Sequence, residues 1–343
     1  ETLKQKDLFS EKETLPLTPK ETNTTEIVPR VDIEMFIHMG EQASLYEAAR
    51  LSGTKSYALH LPKSIERNAK QIDEKLSNIT ICDPAVGSGA FPVGMMTEIV
   101  RARSTLTPYF NDCVERTPYH FKRHAIQKSI YGVDIDAGAV EIAKLRLWLS
   151  LVVDEVETKQ IKPLPNLDYK IMAGNSLLGF PFKSQKLQDI EKLKTMIFDE
   201  TNHEKKAKLK LEIDRKLKEC FAASSKTLGY EITFDFCVYF SEIFDYKNGF
   251  DVIIANPPYI RQERIKEFKS ALADQYKCHN ASADIYVYFF ERAIHLLKPG
   301  GVLGFITSNK YFRSGYGIKL RNFLSSQTTL HHIIDFGDAP VFE

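Results

Sequence analysis

The run Ile79-Thr80-Ile81-Cys82-Asp83-Pro84-Ala85-Val86-Gly87-Ser88-Gly89-Ala90-Phe91 decides the fold. Residues 79–82 have strand character, end on an acid, pass through a glycine turn and give way to a helical pattern reaching Arg103. Strand, acid, glycine turn and helix, in that order, make the first ligand-binding unit of a doubly wound α/β sheet. No Gly-Lys-Ser or Gly-Lys-Thr follows, and the full GxGxxG dinucleotide pattern is missing, so the turn is neither a P-loop nor a dinucleotide fingerprint. A GxG turn by itself is as compatible with an ordinary tight turn. The acid discriminates. Asp83 would repel a phosphate and attract a cationic amino-acid group, which points to a sulfonium amino-acid nucleoside over NAD or ATP.

Working outward, residues 129–136 read as a second strand ending in alternate acids, Asp134 and Asp136. An acid at the end of the second strand is where doubly wound folds hold ribose hydroxyls, and Asp134 is the candidate. Asp136 reads as the N-cap of the next helix, which carries the only tryptophan, Trp148. A third strand over 167–173 leads into Gly174-Asn175-Ser176, where a polar group could meet the edge of a bound base or simply make a turn.

The fourth strand, 250–255, is short, β-branched and bounded by Gly249 and by Asn256-Pro257-Pro258-Tyr259. Its two prolines remove two donors and leave carbonyls free to accept. Asn256 adds a side-chain carbonyl and Tyr259 a flat face, a set that fits a planar molecule bearing an exocyclic NH2. The basic stretch 261–276, with Arg261 at its start, lies beside that turn, where phosphate contacts would position a substrate. The aromatic helix 283–298 reads as core packing. Pro299-Gly300-Gly301 turns into a strand over 302–307, and a helix over 316–325 and a strand over 330–336 follow. Tyr311 and Tyr316, past that strand's end, are candidates for a second aromatic clamp.

Composition sets wider bounds. The 343 residues, 43% hydrophobic and 27% charged, suit a soluble globular protein, and a net charge of +1 restricts any nucleic-acid surface to a local patch. Five cysteines without CxxC spacing argue for reduced thiols and against a disulfide frame or a metal site. With no run of 18 apolar residues and no signal-like start, we expect a cytoplasmic protein away from membranes. The expected organisation is an arm with short helices over 1–60 and a catalytic domain over 61–343. Within it, 183–226 reads as a charged helical insertion and 104–129 as a second insertion of unread role. The absence of an initiator methionine suggests a segment of a longer chain.

Taken together, Asp83 to Phe91, Gly132 to Asp136, Gly174 to Ser176 and Asn256 to Tyr259 resemble, in that order, the gamma-class methyltransferases of adenine N6 in DNA. Residues 131–155 and 250–263 are similar to the methylase part of the fused type IIG restriction-modification enzymes. The set is specific; each motif alone is not. The resemblance implies a Rossmann-like, S-adenosyl-L-methionine-dependent class I domain, with a mostly parallel seven-stranded sheet and helices on both faces. It implies that Asp83, Pro84, Ala85, Gly87, Gly89 and Phe91 border the cofactor, with Asp83 near its ammonium. It places Asp134 on the ribose, Ile135 over the cofactor adenine and Asn175, where many members have Asp, near the adenine amine. Asn256, Pro257, Pro258 and Tyr259 become the catalytic turn, acting on a base flipped out of double-stranded DNA. Endonuclease and target-recognition domains would lie elsewhere in the parent chain, and no N-terminal aromatic-Thr-Pro motif is matched before residue 79.

Rival readings share the chemistry. A protein glutamine carboxamide or an RNA base makes the same hydrogen-bond demand on the turn, and a non-catalytic DNA-binding subunit would retain the fold alone. Intact Asp83, Asn256 and Tyr259 favour catalysis.

Overall fold

Five strands, β1 (Ile81–Asp83), β2 (Ile130–Asp134), β3 (Ile171–Ala173), β4 (Phe250–Ala255) and β5 (Leu297–Phe305), pair in the order β3-β2-β1-β4-β5. Every pairing is parallel. The computed structural model describes residues 28–51, 61–111, 115–153, 167, 169–180, 193, 196, 203–228, 230–260, 269–337 and 339. The principal helices are α1 (Arg30–Leu51), α2 (Ala69–Asn78), α3 (Ala90–Leu106), α4 (Pro118–Lys128), α5 (Ala137–Val152), α6 (His203–Leu228), α7 (Tyr286–Leu296) and α8 (Ile318–Gln327).

The strand order reverses between β1 and β4. Chain direction runs outward from β1 through β2 to β3 on one side, and from β4 to β5 on the other, so the crevice past the carboxyl ends of β1 and β4 is the topological switch point. Helices cover both faces. On one, Met96 and Ile99 of α3, Phe121 and Ile126 of α4, and Val140 and Leu147 of α5 pack with Ile81, Ile130 and Ile171. On the other, Phe234, Phe236, Phe240 and the α7 residues Ala293 and Leu296 pack with Tyr131, Val133 and Ile253. Strands buried from both sides must be apolar throughout, the pattern seen in Val252, Ile253 and Ile254.

Helices α2, α3 and α4 are joined by a nearly buried charge cluster. Asp73 accepts from Arg103 Nε at 2.9 Å and from Arg116 Nη2 at 3.0 Å, while the Arg116 guanidinium lies 3.7 Å from the Phe110 ring centroid. At the foot of the sheet Asp251 accepts from Thr80 N at 2.8 Å and from Thr80 Oγ1 at 2.7 Å, and it pairs with Lys298.

Several sequence expectations change. The described residues contain five strands, not seven. Residues 330–336 form no ladder with the described residues, and Ile333, Ile334 and Phe336 are more than half exposed, because alternation alone cannot make a strand without an adjacent hydrogen-bonded edge. The third strand begins only at Ile171, since Lys170 N and Ile171 N both bond the Leu167 carbonyl and form a turn there. The spacing of Ile65, Ala69, Ile72 and Leu76 predicts one helix over 64–76, and it breaks at Asn68, where φ is −108°. Where the sequence suggests one or two short helices over 31–53, the single longer helix α1 stands. Around Pro299-Gly300-Gly301 the pairing jumps from Phe250↔Leu297 to Val252↔Val302, so the turn is a bulge inside β5.

The charged insertion is partly described, as α6. Its Ile213, Leu217 and Phe221 are buried against Ile232 and Val238, so the apolar spacing read from the sequence is its docking face. No helix among the described residues is long and apolar enough to cross a membrane.

Candidate active site

Asp83 ends β1 and Asn256 follows β4, and these strands are direct neighbours, with Cys82 opposite Ile253. The register carries the acid and the Asn-Pro-Pro-Tyr turn to the same edge of the sheet. Asp134 ends β2, which flanks β1 on its other side, with Asp83 opposite Gly132.

Asp83 is 1% exposed. Its Oδ1 accepts from Ala85 N at 2.9 Å, and Oδ2 has no hydrogen-bond partner among the described residues. Burial pushes its carboxyl up to about 7; the Ala85 N–H pulls the other way and the nearby Asp134 charge adds to the rise. Such a group is poised for a cation. Asp134 Oδ2 accepts from Gly87 N at 2.8 Å and its Oδ1 from Asp136 N at 3.0 Å, so the ribose candidate also holds the glycine turn. Asp136 caps α5 through Gly138 N, as the sequence suggests.

Gly87 and Gly89 adopt φ of +49° and +83°. A Cβ on Gly89 would stand 3.0 Å from the Ala143 Cβ, whereas one on Gly87 would meet nothing within 4 Å. Gly89 thus seats α3 against α5, and Gly87 keeps open the space before the strand ends. Pro84 is buried, Ala85 and Phe91 are half-buried, and Ile135 is 70% exposed, an apolar surface left at the end of β2.

The loop after β3 is tied to the same place. Ser176 Oγ donates to the Pro84 carbonyl at 2.6 Å. Asn175 Oδ1 accepts from Leu177 N at 2.9 Å and from Leu178 N at 3.3 Å, so its side-chain oxygen shapes its own loop. The sequence left Asn175 between a contact to a bound base and a plain turn, and these backbone partners are those of the turn. Sequence reading missed Arg146, whose guanidinium donates to Ser88 Oγ at 3.0 Å and steadies the glycine turn from α5.

On the other side of the switch point, Tyr259 is half exposed and its hydroxyl donates to Asn256 Oδ1 at 2.9 Å, with the Ile306 carbonyl 3.3 Å away. The Tyr259 ring lies 6.1 Å from that of Tyr286, which bonds Tyr316 through their hydroxyls at 2.8 Å. Tyr311 is 8% exposed and stacks on Phe312 at 4.4 Å, with Phe290 at 5.5 Å. A ring enclosed in this way has no open face for a second base, which leaves Tyr316 as the clamp candidate. Neither Ile306 nor the buried, unpartnered Thr307 Oγ1 carried any signal in the sequence. Arg261 lies outside the described residues. Among the described residues no group of three or more His, Cys, Asp or Glu side chains is arranged to hold a metal ion.

The donor set fits a sulfonium amino-acid nucleoside: a buried carboxyl with one free oxygen, a second carboxylate at the ribose position, and an open glycine turn between them.

The type II restriction enzyme and methyltransferase RM.Eco57I of Escherichia coli is 28% identical over 305 residues, covering 83% of this chain and 26% of its own length. The type II methyltransferase M.XhoI of Xanthomonas vasicola is 38% identical over 94 residues, covering 27% of this chain and 17% of its own. M.BstVI of Geobacillus stearothermophilus is 36% identical over 95 residues, with the same two coverages of 27% and 17%. The chain therefore spans about a quarter of the length of RM.Eco57I. The profile of the Eco57I restriction-modification methylase family matches residues 128–342, which include β2 through β5 and the Asn-Pro-Pro-Tyr turn, and the chain belongs to that family.

Proposed function

We propose that this chain is the catalytic part of a site-specific, adenine-specific DNA methyltransferase, moving a methyl group from S-adenosyl-L-methionine to N6 of an adenine flipped out of double-stranded DNA. Its setting would be a type IIG restriction-modification or phage-defence enzyme with endonuclease and target-recognition domains. One observation carries the reading: a buried acid and an amine-accepting turn emerge from adjacent strands at the switch point of a parallel sheet. Family membership supports methyl transfer, and the names of the relatives support DNA as substrate.

When bound, S-adenosylmethionine supplies a methyl group activated by its sulfonium. Asp83 would hold the ammonium and Asp134 the ribose, with Gly87 and Gly89 allowing close approach, Ile135 covering the adenine, and Asn175 shaping the neighbouring loop. The target amine is a poor nucleophile because its lone pair is delocalised into the ring. Asn256 Oδ1 and the Pro257 carbonyl accept its two N–H bonds and favour a tetrahedral nitrogen, an interaction that strengthens as positive charge develops on that atom. Pro258 stiffens the turn. Tyr259 stacks on the flipped base, worth about 1 to 3 kcal/mol, and Tyr316 would bound it further. Arg261 is proposed to contact phosphate.

The test is isotope-labelled methyl transfer to mixed-sequence duplex DNA, with nucleoside analysis, for this chain and its full-length parent. N6-methyladenine is the expected product. Labelling of a glutamine peptide or of RNA in place of DNA would move the substrate while keeping the site chemistry, and cofactor binding without turnover in the parent would favour a non-catalytic subunit. Asn256→Ala should lower the rate by at least about 100-fold, as removal of a transition-state acceptor does, with cofactor affinity unchanged in a direct titration.

A further inference from the structure

Residues 292–334 contain no Asp or Glu, in a chain with 45 acids among 343 residues, and they hold six Lys or Arg. Four of the six are taken up by the fold. Arg292 Nε donates to the Ser176 carbonyl at 3.1 Å, Lys298 pairs with Asp251, Lys319 Nζ donates to the His279 carbonyl at 2.9 Å, and Arg321 donates to the Tyr311 and Ser314 carbonyls. Lys310 and Arg313 remain: both are exposed, and neither side chain has an acceptor or an acid partner among the described residues. They stand on a short 3-10 helix, Asn309–Phe312, whose end is closed by Arg313 N on the Lys310 carbonyl at 3.2 Å. Side chains three apart eclipse in such a turn, so the two cations leave one side of it on stems about 6 Å apart, while Tyr311 packs inward. The turn leaves the sheet beside Asn256-Pro257-Pro258-Tyr259, because Ile306 N bonds the Ala255 carbonyl at 3.1 Å. Tyr286 links the two segments, with its ring 6.1 Å from that of Tyr259 and 6.3 Å from that of Tyr311.

We infer that Lys310 and Arg313 hold the sugar-phosphate backbone of duplex DNA beside the amine-accepting turn. This rests on reading the chain as a DNA methyltransferase, and it gives that reading a contact surface among the described residues. Flipping turns a nucleotide about its own backbone, so the phosphates beside it must be held while the base swings. Two cations free of carboxylates can neutralise phosphates and release their counterions, whereas a cation already paired to the fold gains less. Asp335, the first acid after the run, accepts from Gly337 N at 3.0 Å and from Asn309 Nδ2 at 3.4 Å, so it is turned to its own neighbours and not to either cation. Arg321 fixes the main chain at Tyr311 and Ser314, which keeps the turn in place before any contact is made.

The experiment measures binding of the full-length parent to fluorescently labelled, mixed-sequence duplex DNA by anisotropy across a salt series. Lys310→Gln and Arg313→Gln should each make the slope of log affinity against log salt shallower by about 0.9, and the double variant by about 1.8. The weakening should be the same on unrelated duplexes, since a phosphate contact carries no sequence information. Lys70→Gln and Lys75→Gln, exposed cations on α2, should keep the wild-type slope. A thermal shift with S-adenosylmethionine equal to that of wild type identifies each variant as folded. A parent that binds DNA with a steep slope, retained in the double variant, overturns the patch alone. So does an equal loss of slope in the α2 variants, which would mean a diffuse field, or a change seen with duplex RNA and not with DNA. If the wild-type parent shows no salt-dependent affinity for duplex DNA, the DNA reading falls and takes the patch with it.

Discussion

At the scale of single residues, Asp83 shows how a binding group is held in a state unfavourable to the fold. Its carboxyl, pushed up to about 7 mainly by burial, keeps a proton in the folded chain that the unfolded chain releases near the usual carboxylate value. A raised acid stabilises the fold fully below its unfolded pKa, and that contribution is lost as pH rises through the folded value. At about pH 8 the ionised, buried carboxylate is a liability that a cationic ligand would relieve. Asp83→Asn, which can still accept from Ala85 N, should raise the stability of the ligand-free protein at that pH by an upper bound of about 4 kcal/mol, read by denaturant unfolding. The same variant should lose cofactor affinity. In wild type that affinity should rise from about pH 6 to about pH 8, and in the variant it should be flat; a parallel rise in both would remove Asp83 from the ammonium site.

At the scale of elements, the three helices α2, α3 and α4 depend on one acid. Burial pushes the Asp73 carboxyl up, and the hydrogen bonds and charges of Arg116 and Arg103 more than reverse it, leaving it below the usual range. Asp73→Ala would leave two nearly buried guanidinium groups facing each other, and should cost about 3 to 5 kcal/mol in chemical unfolding. The sign for pH is opposite to that of Asp83. A depressed acid contributes above its unfolded pKa, so this stabilisation persists through neutral pH and is lost only as the medium is acidified through its folded value. An acid-unfolding midpoint that Asp73→Ala leaves in place would contradict the assignment. Asp73, Arg103 and Arg116 bond one another and no residue of the Asn-Pro-Pro-Tyr turn, so the loss of the cluster should act on stability before it acts on ligand binding.

At the scale of the whole molecule, the proposed cofactor residues belong to β1, β2, β3 and the loops at their carboxyl ends, and the proposed amine-accepting turn follows β4. The β1–β4 ladder joins the two sets, and the Tyr276 hydroxyl and Arg292 Nε also donate to the Leu177 and Ser176 carbonyls of the loop after β3. Because the two sets of candidate residues stand on different strands, cofactor binding should be separable from the amine site. S-adenosylmethionine at roughly 100 times its dissociation constant should stabilise the chain by about 2.7 kcal/mol, read as a thermal shift. That shift should persist in Asn256→Ala and vanish in Asp134→Asn. Loss of the shift in both would mean that the two sets do not bind independently.

The sequence by itself determined most of the sheet, because β1, β2 and β4 are short apolar runs closed by residues with strong local preferences: Asp83 before a glycine turn, Asp136 as a cap, and Pro257-Pro258 as a stop. It also singled out Asp83, Asp134, Asn256 and Tyr259 by their position at strand ends. Tertiary structure alone decided which of those ends are neighbours, since parallel pairing is set by crossovers that leave no mark in the strands. It decided that residues 330–336 form no ladder with the described residues, because a ladder needs a partner edge as well as a pattern. It turned the Asn175 oxygen into its own loop and enclosed Tyr311 among Phe290 and Phe312. It also brought the Ile306 carbonyl within reach of the Tyr259 hydroxyl across 47 positions of sequence. Local preference is written in adjacent residues, whereas a hydrogen bond between distant strand ends depends on register, and register is a property of the packed chain.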